Sequence, residues 1–219
     1  FEVGKGFFQD TEYKEELKLG ILLAGEYYMD IPNTDSDFYT LKGIVEELLD
    51  YLGYVNRYSF VVDDNIPEEF HPYHSASIIL QGKNIGVIGK IHPSVLKRDV
   101  YLCEINLDKL LVNSPSRMTY KEIPKYPSIS KDVAFIVKRE TPSSDIIKVI
   151  KKSGGKLLNN ISIFDIYTGE NVDKDEKSIA FNLEFLDLNK TLTMDEVMVV
   201  FDKIIEDVTK ALNAKVRDK

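Results

Sequence analysis

The stretch ISIFDIYTG, residues 161–169, sets an aspartate and a tyrosine two residues apart in an otherwise apolar run. Strand side chains alternate, so Asp165 and Tyr167 share one side with Ile163, while Ser162, Phe164 and Ile166 point to the other. An ionised carboxylate only accepts hydrogen bonds, so it selects groups that present N–H and repels phosphate. A phenol beside it adds a flat ring with a polar tip. Other chemistry-bearing residues are less well placed. His71 and His74 of HPYH, with His92 and Cys103, invite a zinc site. Yet His71 and His92 precede proline in turn-like contexts, no carboxylate stands at a ligand-like offset, and Cys103 sits in an apolar strand. A structural role is favoured, and no metal is expected. Gly86 and Gly89 lack the Lys-Ser/Thr that completes a phosphate loop and read as strand or turn glycines. No serine lies in a nucleophile elbow.

Composition narrows the classes. A single cysteine rules out an internal disulfide and fits a reducing, cytoplasmic setting. No apolar run approaches the roughly 18 residues that span a bilayer, and no signal segment opens the chain. It begins at Phe1, inside the strand-like FEVGKGFF, and reads as a piece of something longer. The net charge is −8, with 13 Lys+Arg against 20 Asp+Glu in residues 1–125 and 15 against 16 in residues 126–219. An acidic chain is a poor general binder of nucleic acid, because phosphate contacts need lysine and arginine, and no DNA partner is expected. Any RNA contact must be local and directed at bases.

The elements that position Asp165 and Tyr167 lie beyond a proline- and serine-rich stretch, VNSPSRMTYKEIPKYPSIS, which reads as a boundary with a linker over 113–125. KDVAFIV (131–137) is a strand. Pro142 at the first helical position opens a helix whose apolar side is Ile146, Ile147, Val149 and Ile150, and Gly154-Gly155 closes it. Strands over 157–167 and 177–186 flank the acidic turn GENVDKDE. Thr193 and Glu196 form a capping box ahead of Val197, Phe201, Ile204, Val208 and Leu212 at helical spacing. AKVR is a last short strand. The order βαββαβ is that of a ferredoxin-like sandwich, with both helices on one face of an antiparallel sheet. Alternation then puts Val133, Phe135, Val137, Ile179, Phe181, Leu183 and Phe185, together with Phe164 and Ile166, under the helices. The opposite face carries Asp165, Tyr167, Ser178, Ala180 and Asn182, flat and open.

Antiparallel sheets often leave one face in water, and the pattern alone suits that reading equally. The functional reading is single-stranded RNA: Tyr167 stacks on an unpaired base and Asp165 accepts from the N–H groups of a guanine's Watson–Crick edge.

Taken in order, YPSISKDVAFIV, FDIYTG, KSIAFNLEF, TLTMDEV and LNAKVR resemble the ferredoxin-fold anticodon-binding domain of the bacterial phenylalanine–tRNA ligase β-subunit family. DFYTLKGIVEELL, FHPYHSASI and IGVIGKIHPSV resemble the class-II-synthetase-like region that precedes it; many members have Gly-Arg where this chain has Tyr73-His74. The resemblance implies residues 1–112 as a non-catalytic synthetase-like domain and 126–219 as the anticodon-binding domain, an α+β chain overall. It implies anticodon contacts from Asp165 and Tyr167 of FDIY and from Ser178 and Ala180 of KSIA. Apart from the resemblance, Lys131, Lys177 and Arg217 are basic residues expected near phosphates, although exposed basic residues are usually just solvated. The resemblance also implies phenylalanine tRNA and a catalytic α subunit, in an α2β2 heterotetramer, as partners. ATP and magnesium would serve the full enzyme, with no cofactor in this portion.

The first segment itself reads as a mixed α/β domain. FEVGKGFF and KLGILLAGE are strands. DFYTLKGIVEELLDYLG is a helix with Phe38, Leu41, Val45, Leu48 and Leu52 buried and Gly53 at its end. HSASIILQGKNIGVIGKI is two strands joined at Gly82-Lys83-Asn84. Adenylate formation needs arginines clamped on ATP phosphates, and residues 1–112 hold only Arg57 and Arg98. The expected role is packing against a catalytic subunit. A metabolite-sensing ferredoxin-fold module joined to an inactive α/β domain is the competing reading.

Overall fold

Apolar alternation on both sides of the proline-rich stretch produces two compact units, Phe1–Tyr120 and Lys121–Lys219, in the computed structural model. It describes residues 1–9, 12–27, 34–112, 115, 123–169 and 172–217. Most of the expected linker over 113–125 lies outside the described residues, as do two positions of the acidic turn, 170 and 171. No helix among the described residues is long and apolar enough to cross a membrane.

In the first unit, β1 (Glu2–Gln9) and β2 (Tyr13–Ala24) begin a sheet, and β3 (Glu26–Tyr27) pairs with β4 (Thr34–Asp35) in a separate two-stranded ladder. Then follow α1 (Phe38–Tyr51), β5 (Tyr58–Val61), β6 (Phe70–Leu80), β7 (Lys83–Ile91), β8 (Val100–Asn106) and α2 (Leu107–Leu111). The six strands run antiparallel in the order β1-β2-β8-β7-β6-β5. Asp37 starts α1 by accepting the Thr40 N–H at 2.6 Å. The helix buries Leu41, Val45 and Leu49 against Ile78, Leu80, Ile88, Cys103 and Ile105. Phe38 and Leu48 are partly buried, but Leu52 is exposed. The expected stripe ran one turn too far: the helix stops at Tyr51, Gly53 turns left-handed with φ 88°, and Leu52 leaves the helical face.

The β6–β7 hairpin turns one residue earlier than expected. Gln81 and Gly82 both take positive φ, 50° and 80°, which is the two-residue turn whose twist matches a hairpin. Lys83 and Asn84 therefore already belong to β7. Gly86 and Gly89 are interior strand residues. A Cβ at Gly86 would stand 2.1 Å from the Glu104 carbonyl oxygen, so close backbone approach accounts for the glycine.

The second unit contains β9 (Ile129–Lys138), α3 (Ser143–Gly154), β10 (Leu158–Tyr167), β11 (Glu176–Phe185), α4 (Met194–Leu212) and β12 (Lys215–Val216). Its sheet order, β10-β11-β9-β12, all antiparallel, is the ferredoxin-like arrangement. Val133, Phe135, Ile179, Phe181, Leu183 and Phe185 meet Ile146 and Ile150 of α3 and Val197, Phe201, Ile204 and Val208 of α4 in one core. Pro142 is the residue before α3 rather than its first, and caps it without a side-chain bond. The capping box of α4 forms as expected: Glu196 N–H donates to Thr193 Oγ1 at 3.4 Å and Thr193 N–H to Glu196 Oε2 at 3.1 Å. Lys190 also holds the Glu196 carboxylate. Thr193→Ala is expected to cost about 1 kcal/mol, seen as a lower urea midpoint at unchanged slope.

Candidate nucleic-acid interface

Cross-strand pairs in an antiparallel sheet share a face, so the register of the second unit lays out its uncovered side rung by rung. One rung is Asp165–Ala180–Ala134, with Arg217 beside it because its N–H donates to the Ala134 carbonyl at 2.9 Å. The next is Tyr167–Ser178–Ile136–Lys215. Ser162–Asn182–Asp132 flanks the first, with the Asn182 amide donating to Asp132 at 2.7 Å. Lys138–Glu176 flanks the second, where Lys215 donates to Glu176 at 3.1 Å. Asp165 and Tyr167 therefore lie on the same face as Ser178, Ala180 and Asn182.

The reason differs from simple alternation. In β10 the pairing passes from Ile163↔Phe181 to Asp165↔Ala180, so Phe164 is an extra residue, a β-bulge. A second extra residue, Asn159, stands between Leu158↔Phe185 and Asn160↔Glu184. The bulge shifts parity by one. Ile163 pairs with buried Phe181 and so lies on the helix side, not with Asp165 as expected. Phe164 does not pack under the helices but is 59% exposed, and Ile166, opposite Ile179 on the helix side, is 55% exposed because β10 is the sheet edge.

The face is also less open than alternation implies. Ser178 is 2% and Ala180 9% exposed. The Arg217 guanidinium carbon lies 4.8 Å from the Tyr167 ring centroid, although Tyr167 ends one edge strand and Arg217 directly follows the other. Three strand spacings separate those edges, roughly 14 Å. Both long side chains must therefore reach inward above the small residues Ala134, Ala180 and Ser178, which they help to bury. Gly169 lies against the same ring, since a Cβ there would stand 2.4 Å from the Tyr167 hydroxyl.

Of the three cations expected near phosphates, only Arg217 belongs to this face. Lys131 pairs opposite Leu183 and Lys177 opposite Val137, both helix-side positions. Burial, and then repulsion from Arg139, lowers the Lys177 ammonium pKa. The register instead brings Lys138 and Lys215 to the uncovered face. Counting in twos from Ala134 through Ile136 finds Lys138, whereas Lys215 needs the β12–β9 register.

The three histidines of the first unit do converge, with ring centroids of His71 4.7 Å from His74 and 6.0 Å from His92. Nδ1 of His71 accepts the Tyr73 N–H at 3.2 Å and Nδ1 of His92 the Ser94 N–H at 3.2 Å. Neutral rings used in this way keep their proton on Nε2, the nitrogen a metal would require bare. Among the described residues no group of three or more such side chains could hold a metal ion. Cys103 is fully buried and its thiol is pushed up to about 12, chiefly by burial. Burial, then repulsion from His74, His92 and Lys90, holds the His71 pKa below 6.5. The unfolded chain takes up that proton first, so stability is full above about pH 6.5 and falls as pH drops toward the folded pKa. Thermal melts at about pH 7.5 and 5.5 should show a smaller difference for His71→Gln than for the parent.

Comparison with known proteins converges on the same two regions. Residues 1–107 match the family model described as the phenylalanyl-tRNA synthetase β-chain CLM domain. Residues 124–217 match the ferredoxin-fold anticodon-binding domain. The chain is 35% identical to the phenylalanine–tRNA ligase β subunit of Shouchella clausii over 99% of its own length and 28% of the relative's. The corresponding protein of Bacillus licheniformis is 38% identical, again over 99% and 28%. That of Fusobacterium nucleatum is 36% identical with the same coverage. The chain thus spans little more than a quarter of the length of these curated relatives.

Proposed function

The chain belongs to the bacterial phenylalanine–tRNA ligase β-subunit family, and from that membership we propose that it supplies anticodon recognition and subunit packing to a ligase that attaches phenylalanine to its tRNA. Residues 126–219 are the anticodon-binding domain, 113–125 the linker, and 1–112 a synthetase-like domain that packs against the catalytic α subunit in an α2β2 heterotetramer. The cytoplasm is its place of work. The observation that carries this reading is Asp165 and Tyr167 side by side on the uncovered sheet face, within the matched anticodon-binding region. That match favours tRNA recognition over metabolite sensing.

A guanine of an unpaired loop suits the pair. Its N1–H and amino group donate to the Asp165 carboxylate, while the ring stacks on Tyr167. Contact with Ser178 or Ala180 requires Arg217 to give way or to share the Tyr167 ring with the base. ATP and magnesium belong to the full enzyme, and the first unit does not fit them. On its sheet face opposite α1, Lys18 is already paired with Glu104 at 2.7 Å and lies 4.0 Å from Glu16. Arg57 stacks beside Tyr54 at 5.6 Å, and Arg98 follows Lys97 in the β7–β8 connection. Carboxylates at that face repel a triphosphate.

The test is to mix the chain with the α subunit and with tRNA transcripts. Co-migration with both, and protection of the anticodon arm of phenylalanine tRNA, are expected. Calorimetric binding of a small amino acid with no RNA binding would refute the reading.

A further inference from the structure

The uncovered face of the second unit is charged unevenly along its strands. Glu184, opposite Asn160 and Ser130, marks one end, with Asp132 on the next rung. In the middle, Asp165 and Arg217 occupy opposite edges of a single rung. The other end carries Glu176 on β11 with Lys138 opposite it on β9, and Lys215 one rung in on β12, whose ammonium reaches across to Glu176. Along β9 and β12 the face thus passes from Asp132 to Arg217, Lys215 and Lys138, while Glu140, Asp173 and Asp175 line a cavity with Lys138 and Glu176 at the end loops.

We propose that the phosphate backbone of the bound RNA crosses this face over Arg217, Lys215 and Lys138, and that Asp132 and Glu184 keep it from the opposite end. The inference rests on the anticodon-binding reading above. It assigns the two halves of the face different tasks. Base edges meet Asp165 and Tyr167 on β10, while phosphates meet cations on β9 and β12. Lys138 is exposed, and no ion pair among the described residues involves it. Lys215 holds Glu176 only in an exposed pair, of a kind that contributes little, so its ammonium can turn to a phosphate. Arg217 stands between the two tasks, its charge close to the ring on which a base would stack. Lys131 and Lys177, on the helix side, take no part.

Salt dependence separates these roles, because each phosphate neutralised on a single strand contributes about 0.7 to the slope of log affinity against log salt. Binding of a fluorescent phenylalanine tRNA anticodon stem-loop to the 219-residue chain would be titrated at several salt concentrations. Lys138→Ala with Lys215→Ala should flatten the slope by about 1.4 and weaken binding. Lys131→Ala with Lys177→Ala should leave the slope alone. Asp132→Asn with Glu184→Gln should tighten binding. An unchanged slope for the first pair, or an equal loss for the second, overturns the backbone path. Weaker binding after removal of the two acids overturns the barrier. A parent chain that fails to bind the stem-loop overturns the anticodon-binding reading itself, and this inference with it.

Discussion

Asp165→Asn is expected to abolish most of the preference for a guanine in the bound loop, a loss of about 10–100-fold in the ratio of affinities for guanine- and adenine-bearing stem-loops. The carboxylate offers two acceptors to the two donor groups on the guanine edge, and such charge-assisted bonds contribute roughly 1.5–3 kcal/mol. Asparagine keeps the shape but turns one acceptor into a donor, which then faces another donor. The adenine-bearing loop, lacking that donor pair, should bind with little change. Tyr167→Ala should weaken both loops together, by about 1–3 kcal/mol, since stacking is indifferent to base identity. Equilibrium titrations with stem-loops differing at one base distinguish the two residues. Parallel weakening of both loops by Asp165→Asn would mean that the carboxylate reads no base.

Phe181→Ala should destabilise the second unit by about 3–5 kcal/mol, whereas Phe164→Ala should change it by under about 0.5 kcal/mol. Phe181 is fully buried on the central strand β11, its ring 6.2 Å from that of Phe135. Truncation removes the transfer energy of the ring and leaves a cavity that close-packed neighbours fill only in part. Phe164 is the bulge residue and already faces water. Plain alternation would give both phenylalanines comparable costs, so the pair tests the bulge directly. Urea denaturation followed by amide exchange in β11 reads the effect.

The same strand shows what the sequence could and could not tell. The helices of the second unit announce themselves through apolar spacing, the Thr193–Glu196 box and the Gly154-Gly155 stop, signals contained within a few residues. The pairing of Asp165 and Tyr167 on one face was equally legible, because no irregularity falls between them. Alternation alone puts Phe164 under the helices, because a bulge has no residue signature in ISIFDIYTG. Only the partner strand, where Ile179 and Phe181 both need the core, reveals that one residue of β10 must be skipped. For Lys131 and Lys177, expected near phosphates, the face each occupies follows only from register with Leu183 and Val137. Arg217 over Tyr167 joins the two edge strands of the sheet and lies beyond any local pattern. The early end of α1 and the shifted hairpin turn are boundary effects, set by positive φ at Gly53, Gln81 and Gly82.

Whether the sheet face carrying Asp165 and Tyr167 binds the loop can be read from an amide chemical-shift map of the chain titrated with the anticodon stem-loop of phenylalanine tRNA. Shifts should centre on Asp165, Tyr167, Ser178, Ala180 and Arg217, with the outer surfaces of α3 and α4 undisturbed. Shifts confined to those helices, or to the first unit, would contradict binding at that face.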